Sequence, residues 1–179
     1  MAFIELAKDT EDMPNHLAAF ASRPGILAAW QQLNGAIKES MDLRRYELAT
    51  IAAARRLRSS YCMLAHGSVL TDKFLEPDEL RHIALDHHSA ELAPVDVAIM
   101  DLADKVVADA TSVTNEDIER LRGFGLDDAE IVSVVCAAAV RCFYSKTLDA
   151  LGVQPDASYA SLDPELREAL VVGRPIASR

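Results

Sequence analysis

From residue 131 to residue 151 the chain is apolar almost without a break, and that stretch constrains the fold more than any other. A helix apolar on nearly every side cannot lie on a surface, so other elements have to wrap it. Asp127 followed three residues later by Glu130 marks its start, because each side chain can take up a free N–H of the first turn; Gly152 marks its end. The longest apolar stretch inside it, residues 131–140, is far short of the ~18–20 residues that cross a bilayer. The reading is therefore a central core helix, with Cys136 and Cys142 as ordinary core residues.

Helical periodicity continues along the rest of the chain, and no run alternates long enough to suggest a strand. Pro24 opens a segment whose apolar residues Ile26, Trp30, Leu33 and Ile37 step by four, three and four. Between Leu43 and Leu57 a second helix turns Tyr46, Ile51 and Ala54 inward and its arginines outward. A third starts at Ser59 or Ser60, either a good N-cap, and runs through Cys62, His66 and Val69. Pro77 and Pro94 sit where first helical residues would, and Thr114 with Asp117 caps a short helix that Gly123 and Gly125 stop. These signals predict one all-helical domain over 1–179, with a core over 24–152 and a C-terminal arm over 153–179.

Composition narrows the possible partners. Half of the residues are hydrophobic but only 6% are aromatic, so the core is built from Ala, Leu, Val and Ile, and small side chains let helices approach closely. A formal charge of −10 repels phosphate backbones and anionic headgroups within a Debye length of about 8–10 Å. Neither nucleic acid nor a membrane surface is an expected partner. The cluster Arg44, Arg45, Arg55, Arg56 and Arg58 reads as a helix flank paired with nearby acids. Three cysteines do not make a disulfide framework, and MAFIELAKDTED has no basic-then-apolar leader pattern, so the cytoplasm is the expected location.

Three residues carry the chemistry. Cys62 and His66 are four apart on one helix face, and Cys62 lies in the first turn, where free N–H groups and the helix dipole favour an anion. Glu47 sits on the inward stripe with Leu43 and Ile51, and a buried carboxylate is costly unless it is paired or protonated. A histidine on the facing helix would pair it. The plainer readings are a cysteine acting as a small hydrophobe and a glutamate bound to an arginine across a helix interface. His82, Asp86, His87 and His88 invite a metal reading, but consecutive helical residues diverge by about 100°, so on a helix they do not converge, and no metal is expected.

Glu47-Leu48-Ala49, then Ala53-Ala54-Arg55, then the run from Ser59 through Tyr61, Cys62 and His66 to Gly67 resemble the signature of the carboxymuconolactone decarboxylase and alkylhydroperoxidase D superfamily. That signature has a glutamate, twelve residues to a first cysteine, a Cys-x-x-Cys pair, and a histidine four residues on. The resemblance runs over residues 24–152, and Gly173-Arg174-Pro175 is similar to the tail of a peroxidase-related subgroup. It implies an all-helical fold, a symmetric homo-oligomer, and thiol-dependent reduction of hydroperoxides without a cofactor. In that scheme the second cysteine attacks, helped by histidine and glutamate, and the first cysteine resolves the product as a disulfide.

Here the first cysteine is Ser59, which can cap a helix but cannot form a disulfide. The resemblance then implies a one-cysteine variant: Cys62 as nucleophile, His66 as proton shuttle, Glu47 orienting His66, and an external thiol as reductant, with Ser59 and Tyr61 capping the helix or lining the pocket. Thiol activation alone gains little. A thiol whose pKa fell by about two units would gain ~25-fold in thiolate at pH 7 but lose ~6–10-fold in nucleophilicity. Proton delivery to the leaving oxygen, worth ~10²–10⁴, is the larger effect. The alternatives are a decarboxylase or isomerase of a small lactone or keto acid in which His66 moves protons without a thiol, and a non-catalytic, redox-sensing oligomer.

Overall fold

A computed structural model describes residues 2–4 and 13–178, which form helices joined by short turns, with no strand among them. The N-terminal stretch read above for a leader lies mostly outside these residues. In chain order the helices are α1 (Asn15–Ala18), α2 (Pro24–Glu39), α3 (Leu43–Leu57), α4 (Ser60–Lys73), α5 (Pro77–Leu85), α6 (Pro94–Asp109), α7 (Asn115–Gly123), α8 (Asp128–Ala150) and α9 (Pro164–Leu170). The caps explain the boundaries. Prolines occupy the first turns of α2, α5, α6 and α9. Asp42 accepts the Arg45 N–H at the head of α3, and Asp127 with Glu130 closes a capping box on α8. Gly152, at φ 74°, turns the chain out of α8.

Helix α3 lies at the centre, packed on α4, α6 and α8, and α6 packs on α8 in turn. Ala49, Ala52, Ala53 and Ala54 of α3, Ala98 and Ala103 of α6, and Ala137 and Ala138 of α8 are all buried. Small residues at these crossings let Leu48, Ile51, Ile99 and Leu148 fill the space around them, each contributing about 1.5–3 kcal/mol by leaving water. The arginines of α3 fasten this core from outside: Arg44 and Arg45 reach the buried Asp96 at 2.5 and 3.6 Å, and Arg56 reaches Asp104 at 2.5 Å.

The C-terminal arm lies on its own domain. Leu166 and Leu170 are buried, the Gly173 N–H donates to Ser60 Oγ at 2.8 Å, and the Arg174 guanidinium donates to the Asp149 carbonyl at 2.6 and 3.0 Å. Only glycine fits at 173, because a Cβ there would overlap the Arg58 carbonyl oxygen.

Two expectations need correction. Helix α8 is central but not buried all round: Val132 and Phe143 face out, and Cys136 and Cys142 are half-buried rather than core. Likewise Ile26 and Leu33 of α2 are exposed, although Ile37 is buried. Where α2 packs on α8, Ile26, Trp30, Leu33, Cys136 and Phe143 line an apolar groove of about 650 Å³. Among the described residues α8 is also the one helix long and apolar enough to span a membrane by length and composition. Its packing against α2, α3 and α6 and its buried Arg141 are those of a core helix.

Candidate active site

Four helices bring polar side chains to one small cavity. Cys62 stands in the first turn of α4, and His66 follows one turn later. Helix α3 supplies Tyr46 and Glu47, α2 supplies Trp30, Asn34 and Lys38 at four-residue spacing, and α8 supplies Arg141, Tyr144 and Ser145. The cavity holds about 160 Å³ and is lined by Cys62, His66, Arg141, Trp30, Asn34, Tyr61, Tyr144 and His16 among others. That is below the ~300–1,000 Å³ of sites for drug-sized ligands.

Glu47 is fully buried. Its Oε2 lies 2.5 Å from His66 Nδ1, and its Oε1 faces Lys38 Nζ at 3.4 Å, an ion pair without the geometry of a hydrogen bond. Burial pushes the Glu47 carboxyl up, but the His66 hydrogen bond and charge, with Lys38, outweigh it and hold Glu47 below its ordinary value. An ionised Glu47 can only accept, so Nδ1 of His66 carries the proton. Burial and then the Arg141 charge push His66 down to about 4, against the pull of Glu47. At neutral pH His66 is therefore an uncharged ring whose Nε2 lone pair is free to take a proton.

The sulfur of Cys62 is held by α8. Ser145 Oγ donates to Cys62 Sγ at 3.0 Å and Arg141 Nη1 at 3.7 Å. Arg141 is 1% exposed; its Nη2 also donates to Tyr46 Oη at 3.2 Å and Asn34 Oδ1 at 3.5 Å, and its guanidinium lies 5.8 Å from the Trp30 ring. None of these contacts is a carboxylate. A buried guanidinium costs several kcal/mol unless an anion answers it, and Cys62 Sγ is placed to do so once it gives up its proton. Burial works against the Arg141 charge, but Cys62 and Tyr46 outweigh it and keep the guanidinium cationic.

A second polar chain borders the cavity. Tyr61 Oη donates to Asp156 Oδ2 and lies 2.8 Å from His16 Nδ1. Burial and Asp156 push the Tyr61 phenol well above its ordinary range, so it stays protonated. With its proton given to Asp156, Tyr61 accepts from His16 Nδ1–H. Burial also lowers His16, opposed by Asp156, so its Nε2 is a second basic nitrogen beside the cavity.

The structure thus brings Cys62, His66, Glu47 and Tyr61 together, with one change: the hydrogen-bond partners of Cys62 are Arg141 and Ser145. Ser59 departs from expectation. It occupies the N-cap position of α4, but its hydroxyl makes no capping bond; it is buried, and it pulls the Asp149 carboxyl down against the rise that burial gives it. Sequence reasoning missed Arg141, Ser145 and His16. Arg141 had a signal, being the one charged residue between Ile131 and Ser145; a charge in an otherwise apolar helix requires a buried partner. His16 sits on the single turn of α1 and left no periodic trace.

No family model matches the chain, and no curated protein matches it. Its fold does match solved structures. An uncharacterized peroxidase-related protein with an alkylhydroperoxidase AhpD core, from Ralstonia eutropha JMP134, superposes with a TM-score of 0.76 at 22% identity, covering 84% of this chain and 82% of that one. An uncharacterized peroxidase-related protein from Silicibacter sp. TM1040 gives 0.76 at 20%, covering 85% and 83%. A cysteine-to-alanine variant of the debrominase Bmp8 in complex with 2,3,4-tribromopyrrole gives 0.78 at 11%, covering 94% and 100%. The chain has the alkylhydroperoxidase D-like helical fold.

Proposed function

We propose that the chain is a one-cysteine, thiol-dependent reductase of small hydroperoxides. The observation that carries this reading is the seat of Cys62: a buried sulfur between the Arg141 guanidinium and the Ser145 hydroxyl, on the wall of a small cavity that His66 also lines, with Glu47 bonded to that ring. The neutral His66 Nε2 takes the Cys62 proton. The thiolate then attacks the outer oxygen of the peroxide; an S–O bond forms as the O–O bond breaks, and His66 returns the proton to the departing alkoxide. Cys62 becomes a sulfenic acid and the peroxide an alcohol. One external thiol converts the sulfenic acid to a mixed disulfide with loss of water, and a second frees Cys62 as an external disulfide leaves. Arg141 stabilises the anion, and Glu47 fixes the ring of His66 and offsets the charge it gains.

The debrominase neighbour supports a second reading, because Trp30, Tyr61 and Tyr144 give the cavity aromatic walls. In it the same thiolate attacks the halogen of a small haloaromatic, His66 protonates the ring carbon released, and an external thiol displaces halide from sulfur. Neither reading uses a resolving cysteine. We further propose a homo-oligomer in which copies meet along the α2–α8 groove, since the arginine cluster and the arm are committed to contacts within the chain.

Turnover with a dithiol separates these readings. The peroxidase reading expects consumption of hydrogen peroxide or cumene hydroperoxide, lost in Cys62→Ser, and no bromide release from a bromopyrrole. Cys62-dependent bromide release with peroxide untouched would favour the dehalogenase. Lactone or keto-acid conversion that survives Cys62→Ser would point to the decarboxylase or isomerase.

A further inference from the structure

Helix α5 ends at Leu85, and His87 and His88 follow in a turn rather than on a helix. The 100° divergence that kept them apart in the sequence reading does not apply there, and both rings swing onto one carboxylate of α6. His87 Nε2 lies 2.9 Å from Asp101 Oδ1, and His88 Nε2 lies 2.7 Å from the same oxygen. The three donor atoms all fall within 4.8 Å of one another. His82, the other histidine of the cluster, turns away toward Asp78.

We propose that His87, His88 and Asp101 form a binding site for a borderline divalent transition ion of the Zn²⁺, Co²⁺ or Ni²⁺ kind. Three observations point there. The first is spacing: ligands at about 2.0–2.1 Å from an ion lie about 2.9 Å apart when mutually perpendicular and about 3.3 Å apart in a tetrahedron, close to the two separations seen. The second is the outer shell of His88. A metal on Nε2 requires the proton on Nδ1, and the Asp86 carboxylate stands 3.4 Å from that nitrogen; a carboxylate on the far nitrogen is the usual support for a ligating imidazole. The third is the outer shell of Asp101. Arg120 Nη1 donates to its Oδ2 at 2.7 Å, fixing the carboxylate and leaving Oδ1 for the ion. Two neutral imidazoles and one carboxylate suit a borderline ion better than Ca²⁺ or Mg²⁺. His88 is exposed while His87 is buried, so the ion has a route in and its remaining positions face water. Bound there, it would pin the α5–α6 turn to α6.

The test uses the full chain, stripped with a chelator and titrated with Co²⁺ while its visible absorption is followed, and with Zn²⁺ by calorimetry. One equivalent should bind with a nitrogen–oxygen ligand spectrum and raise the melting temperature. His88→Ala, at an exposed position, should remove both effects, and Asp86→Asn should weaken binding about 10–100-fold. Cys62→Ser should leave the titration unchanged. Absence of a saturable equivalent, or one that persists in His88→Ala or disappears in Cys62→Ser, would overturn the site.

Discussion

At the residue scale the site turns on two charges that have left water. Arg141 is buried with no carboxylate in contact, and its Nη1 donates to Cys62 Sγ, so an anion that forms on that sulfur would answer its charge. Removing one member of such a pair typically costs about 3–5 kcal/mol, because the other is left uncompensated. Glu47, Cys62 and His66 were legible because inward periodicity and i,i+4 spacing survive in a linear sequence. Arg141 and Ser145 were not, because which face of α8 meets α4 is decided by tertiary packing. His66 gives a pH prediction. Its folded pKa of about 4 lies below its ordinary 6.5, so between those values the unfolded chain binds more protons. Its contribution to stability is therefore present above pH ~6.5 and lost as pH falls through ~4. Wild type should lose about 1–3 kcal/mol more than His66→Gln over that interval in urea denaturation; parallel losses would mean that His66 is not held neutral by the fold.

At the element scale, helix positions were readable because capping residues and prolines are local signals: Asp127 with Glu130, Thr114 with Asp117, and Pro77 and Pro94 all stand where the helices begin. Ser59 shows the limit of that logic. It takes the buried N-cap backbone position of α4 without the side-chain bond that a serine there can make. Where the arm docks was not legible in the sequence, since contacts such as Gly173 N–H to Ser60 Oγ join residues 113 apart. That contact also braces the head of α4, the turn that carries Cys62. Gly173→Ala should detach the arm at a cost of about 1–3 kcal/mol, and hydrogen exchange should show faster opening of both the arm and the first turn of α4. Exchange unchanged at α4 would mean the arm is mere covering.

At the scale of the whole molecule, the groove between α2 and α8 is an apolar surface that the described residues leave uncovered. Periodicity marked both stripes as apolar but could not say that Ile26, Leu33, Val132 and Phe143 would face out, because it tells which residues share a face and not what covers that face. Light scattering should return a multiple of 19.5 kDa, and Leu33→Asp should reduce it to the monomer; a monomeric wild type would contradict the assembly. The central claim is that Cys62 alone is the redox nucleophile, with no resolving partner in its own chain. Intact-mass and peptide mass spectrometry after one equivalent of peroxide, with a sulfenic-acid trap present, tests it most directly. The account predicts one trapped adduct on Cys62, none on Cys136 or Cys142, strong loss of the adduct in Arg141→Gln, and an internal disulfide in place of the adduct in Ser59→Cys. A Cys62 inert to both peroxide and trap, or a wild-type bridge from Cys62 to Cys136 or Cys142, would contradict it.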